Sequence, residues 1–160
     1  MSDSVIRPIS AAATRPLRAE VLRRGQPASD LVYPGDDAPH ALHVGAFVDD
    51  ALAGIATVYP EPMPIPPDDP DDADGLDRAS AFRLRGMATR GTLQGQGLGR
   101  RVLTRCLDHV REAGADVLWC NARTNARGFY ERLGFRTAGD EFEIEGIGPH
   151  FVMWTDVRER

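Results

Sequence analysis

The chain has 160 residues, of which 42% are hydrophobic and 27% charged, with a formal net charge of -5. This length and composition predict one globular domain, residues 1–160, with a substantial core. The negative charge argues against nucleic acid and anionic membranes as the main partners, because both attract basic surfaces.

The sequence predicts neither a targeting segment nor a membrane-spanning segment. Its first ten residues lack a basic region followed by an apolar run, so no signal peptide is predicted. No stretch approaches the eighteen apolar residues of a transmembrane helix. Cys106 and Cys120 fall inside apolar patterns, which favours buried reduced thiols. A cytoplasmic location is therefore expected.

The amino-terminal part predicts a strand, a helix and a hairpin. Residues 4–9 form a short strand, and Thr14 followed by Pro16 predicts the capped start of a helix that ends near Gly25. Residues 41–48 and 51–59 are both strand-like. Because only two aspartates separate them, they are predicted to pair as an antiparallel hairpin.

A proline-rich and aspartate-rich segment occupies residues 60–80. Proline removes backbone hydrogen bonds there, and the acidic cluster favours solvent. The segment is longer than an ordinary connection, so it is either a mobile surface loop or a flap over a site. Its low hydrophobicity favours the mobile loop.

The remaining chain predicts strands and helices in alternation. Residues 81–89 form a strand with a bulge at Gly86-Met87, and an amphipathic helix follows from Leu98 to a stop at Gly114. A buried strand at 117–122, a short helix at 125–133 and two terminal strands complete the order. This order predicts an α/β fold with a mixed sheet and helices on its faces.

The glycine-rich run before the amphipathic helix predicts an anion site. Helix amino-termini present unpaired N–H groups and a positive dipole, and Gly95, Gly97 and Gly99 allow a phosphate to approach the backbone. Arg100 adds positive charge at the same end. The run lacks the Lys-Ser or Lys-Thr of a P-loop and breaks the spacing of a dinucleotide fingerprint.

Two motifs resemble the GNAT superfamily of N-acetyltransferases. Gln94-x-x-Gly97-x-Gly99 matches the (Q/R)xxGx(G/A) acyl-CoA signature of that family. The run from Asn125 through Tyr130 to Gly134 and Phe135 resembles its second signature. The resemblance is strong from about Phe82 to Phe135. It implies a GNAT-like fold, with a central, mostly antiparallel twisted sheet and helices on both faces.

The resemblance also implies roles for individual residues. Acetyl-CoA would be the co-substrate, without a metal, and Tyr130 would protonate the leaving thiolate. Asn125 would contact the pantetheine arm, and backbone groups of the bulged strand would bind the arm and the thioester. The implied cofactor-binding residues, besides Asn125, are Met87, Ala88, Thr89, Gln94, Gly95, Gln96, Gly97, Leu98, Gly99 and Arg100.

The acceptor side is less defined by the sequence. The expected acceptor is a primary amine of a small molecule or peptide, and a base must take its proton. The candidate bases are His150, Glu61, Glu141 and Glu143. His43 lies in an alternating strand and is interpreted as a packed histidine.

Three arginines, Arg83, Arg85 and Arg123, are compatible with two structures. One is a solvated or salt-bridged sheet face. The other is a basic pocket for an acceptor that carries a carboxylate or phosphate.

Direct attack of an amine on the thioester is the leading hypothesis for function. A non-catalytic acyl-CoA-binding sensor or structural domain is the alternative, and a nucleotide-binding module is a third. The resemblance also allows a homodimer, although no exposed apolar stripe requires one.

Overall fold

The computed structural model describes residues 4–158, which contain seven strands and three α-helices. In chain order these are β1 (Ser4–Ile9), α1 (Ala11–Leu17), β2 (Leu42–Val48), β3 (Ala51–Pro60), β4 (Ala81–Thr89), α2 (Leu98–Glu112), β5 (Val117–Arg123), α3 (Arg127–Arg132), β6 (Arg136–Ile144) and β7 (Gly148–Asp156). The strands are ordered β1-β2-β3-β4-β5-β7-β6 in one sheet. Strands β4 and β5 are parallel, whereas the pairs β1–β2, β2–β3, β5–β7 and β6–β7 are antiparallel. The predicted mixed α/β sheet is thus confirmed.

The chain divides into two compact units. The first contains the residues up to Pro60 together with Leu84–His109. The second contains Glu61–Arg83 together with the residues from Val110 onward. The expectation of one domain stays a prediction.

The hairpin of the first unit forms as predicted. Strands β2 and β3 pair from Leu42 opposite Val58 to Val48 opposite Ala51. Asp49 and Asp50 have φ angles of 50° and 65°. Two consecutive left-handed residues are the requirement of a type I′ two-residue turn, and aspartate tolerates this conformation better than most residues.

The first helix begins earlier than the sequence predicted. Ser10 is its N-cap, and the Ser10 hydroxyl accepts a hydrogen bond from the Ala13 N–H at 3.1 Å. Thr14 was therefore the wrong cap: it lies inside α1, buried, with its hydroxyl donating to the Ala11 carbonyl. Pro16 also lies inside α1, and a π-helical turn, Arg18–Leu22, follows. A hydroxyl residue precedes the apolar positions at both sites, so the sequence alone did not separate the two starts.

Helix α2 has the predicted buried face. All six predicted positions are at most 7% exposed, namely Leu98, Val102, Leu103, Cys106, Leu107 and Val110. Gly114, with φ at 80°, follows the helix end. A 3.6-residue period of apolar side chains was sufficient to predict this element because it depends on sequence spacing alone.

The proline-rich segment of the second unit is packed, which contradicts the mobile loop favoured by its composition. Met63 is 3% exposed and belongs to a core cluster with Trp119 and Trp154. The Asp68 carboxylate accepts a hydrogen bond from the Gly139 N–H at 2.8 Å, and the Arg158 side chain donates to the Gly75 carbonyl at 2.7 Å. Average hydrophobicity does not predict this packing, because three apolar side chains, Met63, Ile65 and Leu76, and a few hydrogen bonds hold the segment.

Both cysteines are buried and free, as predicted. Burial raises the pKa of Cys106 and of Cys120 to about 12, so both remain neutral thiols at neutral pH. Within residues 4–158, no helix is long and apolar enough to cross a membrane.

Candidate active site

The loop before α2 contains two glycines in the left-handed conformation. A 3₁₀ turn, Gly91–Leu93, leads into Gly95 and Gly97, whose φ angles are 81° and 80°. The Arg101 N–H donates to the Gly97 carbonyl at 3.2 Å. The amides of the three preceding residues, 98–100, therefore lie in the first turn, where no intrahelical acceptor exists.

The space and charge around this loop suit an anion. A Cβ built on Gly95 or on Gly97 meets no described atom within 4 Å, so the space beside both is open. The first turn of α2 holds no acidic residue, and Arg100 is exposed there. A fifteen-residue helix with a bare amino-terminus attracts phosphate through its dipole and amides.

Strand β4 leads directly to the loop. Gly86, inside the strand, has a left-handed φ of 65°, and the β-bulge expected at Gly86-Met87 stays a prediction. Ala88 is buried in a core cluster with Leu17 and Ile55. The Thr89 carbonyl accepts a hydrogen bond from the Gln94 side-chain amide at 3.0 Å. The predicted strand residues, Met87 to Thr89, and the predicted loop thus lie together in the first unit, linked by this hydrogen bond.

The second unit carries the predicted Asn125 and Tyr130. Asn125 is exposed in a 3₁₀ turn, Thr124–Ala126, and the α-helical part predicted to start there begins at Arg127. Tyr130 is buried between Phe129 and Phe135, with ring centroids 5.2 and 5.3 Å away.

Tyr130 also has a polar partner. Its side chain is hydrogen-bonded to the Cys120 thiol on β5. The phenol is therefore packed against aromatic rings and also oriented by a thiol that stays protonated.

The four candidate bases have different surroundings in the second unit. Glu61 is ion-paired with Arg83 at 3.3 Å, and Glu141 accepts a hydrogen bond from the Thr124 hydroxyl at 2.8 Å. Glu143 is exposed on β6. His150 is only 4% exposed, and its Nδ1 lies 2.8 Å from the Gly148 carbonyl.

The hydrogen bond of His150 defines its tautomer. A carbonyl oxygen only accepts, so Nδ1 carries the proton and the lone pair of the neutral ring is on Nε2. The ring stacks on Phe142 with a centroid distance of 5.9 Å. His150 is thus buried and oriented by this hydrogen bond, whereas Glu141 and Glu143 are exposed.

The arginines Arg83, Arg85 and Arg123 have different contacts. Arg83 pairs with Glu61 and lies over Trp119, as expected for a salt-bridged face. Arg123 lies opposite His150 in the register of β5 and β7. Arg85 lies over the Tyr33 ring, with its central guanidinium carbon 4.2 Å from the ring centroid.

A buried polar network in the first unit was missed by the sequence analysis. Arg18 is 0% exposed and makes two hydrogen bonds of 2.8 Å to the Asp36 carboxylate. It also donates to the Leu31 carbonyl at 2.8 Å and to the Thr57 hydroxyl at 2.9 Å. Nothing in the sequence distinguishes Arg18 from the surface arginines of an amphipathic helix.

His43 completes this network as a packed histidine, as predicted. Its Nε2 lies 2.9 Å from the Asp36 carbonyl, and its Nδ1 lies 2.8 Å from the Thr57 hydroxyl. Nε2 is therefore the donor, and Thr57 donates to Nδ1 while accepting from Arg18. The hydrogen-bonding roles of His43, Thr57 and Arg18 are thus complementary, although the Arg18 Nε is buried without a hydrogen-bond partner among the described residues.

The network also perturbs the titration of Asp36. Burial raises the pKa of the Asp36 carboxyl, but hydrogen bonds from Arg18 and from the Tyr33 N–H, with the Arg18 charge, outweigh it. The net result is a pKa below the ordinary value, so Asp36 stays ionised at neutral pH.

Residues 4–158 contain no group of three or more His, Cys, Asp or Glu side chains that could hold a metal ion. The fold and the glycine loop define the structural class of the protein. It is an α/β protein with a mixed sheet, in which a glycine loop leads into the amino-terminus of α2.

Comparison with known proteins identifies the family. A family model described as an acetyltransferase (GNAT) domain matches residues 35–154. The chain is also 35% identical over 153 residues to YitI of Bacillus subtilis (strain 168), described as an uncharacterized N-acetyltransferase, and the match covers 96% of each chain. The chain belongs to the GNAT superfamily of acetyltransferases, whose members transfer acyl groups from acyl-CoA.

Solved structures share the fold at low identity. Escherichia coli ElaA has a TM-score of 0.70 at 17% identity, over 98% of this chain and 100% of that one. FeeM, an N-acyl amino acid synthase from uncultured soil microbes, has a TM-score of 0.72 at 17% identity, over 99% and 93%. At these identities the likeness establishes the fold alone.

Proposed function

We propose that this chain transfers the acetyl group of acetyl-CoA to a primary amine of a small molecule or peptide. The observation that carries the proposal is the α2 amino-terminus, where Gly95 and Gly97 open the backbone to an anion. Family membership supplies the reaction class, and the residues of the loop and β4 fit the phosphate and thioester parts of that co-substrate.

The loop would hold the pyrophosphate of CoA. The first-turn amides of residues 98–100 lack intrahelical acceptors, and Arg100 adds a cation that can pair with phosphate. The Gln94 side chain, bonded to the Thr89 carbonyl, keeps the loop at the end of β4. Gln96 and Leu98 complete the loop, with the buried Leu98 anchoring the start of the helix.

The backbone after Gly86 would bind the thioester. An amide from Met87 to Thr89 can stabilise the negative charge that develops on the carbonyl oxygen during attack. Asn125, exposed before α3, would contact the pantetheine arm. The amine attacks the carbonyl carbon directly, the C–S bond breaks, and the electron pair leaves with sulfur.

Two side chains would move protons. Tyr130, oriented by the Cys120 thiol, would donate its proton to the leaving thiolate. His150 would take the proton of the attacking amine on Nε2, because its Nδ1 proton is engaged by the Gly148 carbonyl.

A thermal-shift titration with acetyl-CoA, CoA, NAD and ATP tests the ligand. A specific ligand of the folded state raises the midpoint of unfolding by mass action. Acetyl-CoA and CoA alone should do so. A shift with NAD or ATP but not with CoA would overturn the assignment in favour of a nucleotide-binding module.

Release of free CoA thiol tests the transfer. A panel of amines, offered with saturating acetyl-CoA, should contain substrates that release thiol and become acetylated. Binding of acetyl-CoA without turnover of any amine would instead support a non-catalytic acyl-CoA sensor. The amine acceptor, the homodimer and the cytoplasmic location stay predictions.

A further inference from the structure

Two arginines of the first unit, Arg18 and Arg85, contact the Tyr33 ring. The central guanidinium carbon of Arg18 lies 3.8 Å from the Tyr33 ring centroid, and that of Arg85 lies 4.2 Å from it. A flat guanidinium stacked on a ring keeps its N–H donors free at its edges.

The two arginines differ in how their charges are balanced. Arg18 is buried and forms a bidentate ion pair with Asp36, with both hydrogen bonds at 2.8 Å. Asp36 also accepts a hydrogen bond from the Tyr33 N–H at 3.0 Å, and the Asp36 N–H donates to the Tyr33 carbonyl. The ion pair therefore fixes the position of Tyr33.

Arg85 has no such counter-charge. It is half-buried on β4, and no carboxylate within residues 4–158 forms an ion pair or a hydrogen bond with it. Around Tyr33 the arginines contribute two positive charges against the single negative charge of Asp36. The cluster therefore has one unbalanced cation whose donor edges are free.

The cluster lies against the irregular part of β4. A Cβ built on Gly86 would lie 2.8 Å from Tyr33 Cε2 and 3.0 Å from the Tyr33 hydroxyl oxygen. Only glycine leaves room for the ring there, and its left-handed φ of 65° also favours glycine. The Tyr33 hydroxyl thus lies beside the backbone that leads into Met87.

We propose that Arg85 and Tyr33 bind a carboxylate of the acceptor, so that the substrate is an amine that also carries a carboxylate. The inference rests on the proposed function, which assigns the thioester to the backbone from Met87 to Thr89. The Arg85 fork donates two N–H groups to the carboxylate, and the Tyr33 hydroxyl donates a further hydrogen bond. Amino acids and peptides with an acidic group near the amine belong to this class.

Paired acceptors test the proposal. Amino acids and the corresponding amino-acid amides are compared in kcat/KM by thiol release at saturating acetyl-CoA. Since hydrogen bonds to charged groups contribute about 1.5–3 kcal/mol, the acid of the preferred pair should exceed its amide by about 10–100-fold. The amide has the less basic amine and more free base at neutral pH, so intrinsic reactivity works against this result. Equal use of acids and amides overturns the proposal.

Arg85→Met tests the residue, with Arg7→Met as the matched control. Arg7 also stacks on an aromatic ring, Phe47, at 4.0 Å, but on exposed β1. Arg85→Met should raise KM for the acid at least about 10-fold and abolish its preference over the amide. Arg7→Met should change neither. Arg85→Lys should restore part of the preference, since it keeps the charge without the fork.

A binding measurement separates this inference from the proposed function. The unfolding midpoint of the CoA-saturated protein is measured with the acid and amide series and with phosphoethanolamine. If amines with a carboxylate raise the unfolding midpoint and Arg85→Met abolishes this rise, the carboxylate site is supported. If no thiol is released in the same experiments, acetyl transfer is refuted but the carboxylate site is not. Preference for phosphoethanolamine, or loss of the acetyl-CoA shift in Arg85→Met, contradicts a carboxylate site at Arg85.

Discussion

Replacing Asp36 by alanine should destabilise the first unit strongly. The substitution leaves the Arg18 guanidinium charged and without its bidentate partner, while its side chain is 1% exposed. Breaking a buried ion pair by removing one partner costs about 3–5 kcal/mol. For a chain of this length, about 2–4 °C per kcal/mol converts this into a fall of roughly 6–20 °C in the unfolding midpoint.

Urea denaturation and thermal unfolding of matched variants measure this effect. The control is Glu20→Ala, which removes an exposed carboxylate paired with Arg90 at 3.1 Å. The side chain of Glu20 is 52% exposed and that of Arg90 is 40% exposed. Such a surface pair contributes about 0–1 kcal/mol. If Asp36→Ala and Glu20→Ala have the same free energy of unfolding, the buried-charge explanation is wrong.

A double variant isolates the cause. Arg18→Met combined with Asp36→Ala removes both charges, so it should be more stable than Asp36→Ala alone if the uncompensated guanidinium is responsible. Greater destabilisation in the double variant would show that lost packing dominates.

The same ion pair predicts a pH dependence. The pKa of Asp36 is lower in the folded state than its ordinary value of 3.8, so the folded state binds fewer protons in that range. The stabilisation is complete above the unfolded pKa and is lost as the pH falls through the folded pKa. The difference in unfolding free energy between wild type and Asp36→Ala should therefore shrink below about pH 4.

Three further substitutions test the site and the fold. Gly97→Glu should abolish CoA binding, measured by titration calorimetry, because it places a carboxylate in the phosphate site. Gly97→Ala carries the same backbone strain at a φ of 80° and should bind CoA more tightly than Gly97→Glu. Equal CoA affinities of the two variants would show that backbone strain is the cause. Tyr130→Phe should lower kcat about 10²-fold with little change in acetyl-CoA affinity, and equal losses in both would indicate a packing role. Met63→Ala should reduce the unfolding free energy by about 2–5 kcal/mol, because Met63 is 3% exposed. As a control, Pro64→Ala at an exposed position should change the unfolding free energy by no more than about 0.5 kcal/mol. An equally small change in Met63→Ala would favour the mobile loop.

Several elements of this protein can be predicted from residues that are close together in the sequence. The period of Leu98, Val102 and Cys106 predicted the buried face of α2, and two aspartates between apolar runs predicted the β2–β3 hairpin. The two signature motifs predicted the family, which the comparisons confirm. These features depend on backbone conformation and on spacing within one element, both of which the sequence displays.

The candidate site was predictable only in part. The left-handed φ of Gly95 and Gly97 agrees with the loop predicted from glycine content, but the roles of Met87, Asn125 and Tyr130 stay predictions. Of the four candidate bases, His150 is distinguished by a hydrogen bond to Gly148, which depends on side-chain orientation that no motif encodes.

The sequence by itself determined the order of the elements, the glycine loop at the start of α2 and the family. Only the tertiary structure decided that Arg18 is a core residue, because its partners Asp36 and Thr57 are 18 and 39 residues away along the chain. It also decided that Met63 is buried against Trp119 and that Arg85 stacks on Tyr33 without an ion pair to any carboxylate of residues 4–158. Burial and charge balance are sums over residues distant in sequence, and only the folded chain brings those residues together.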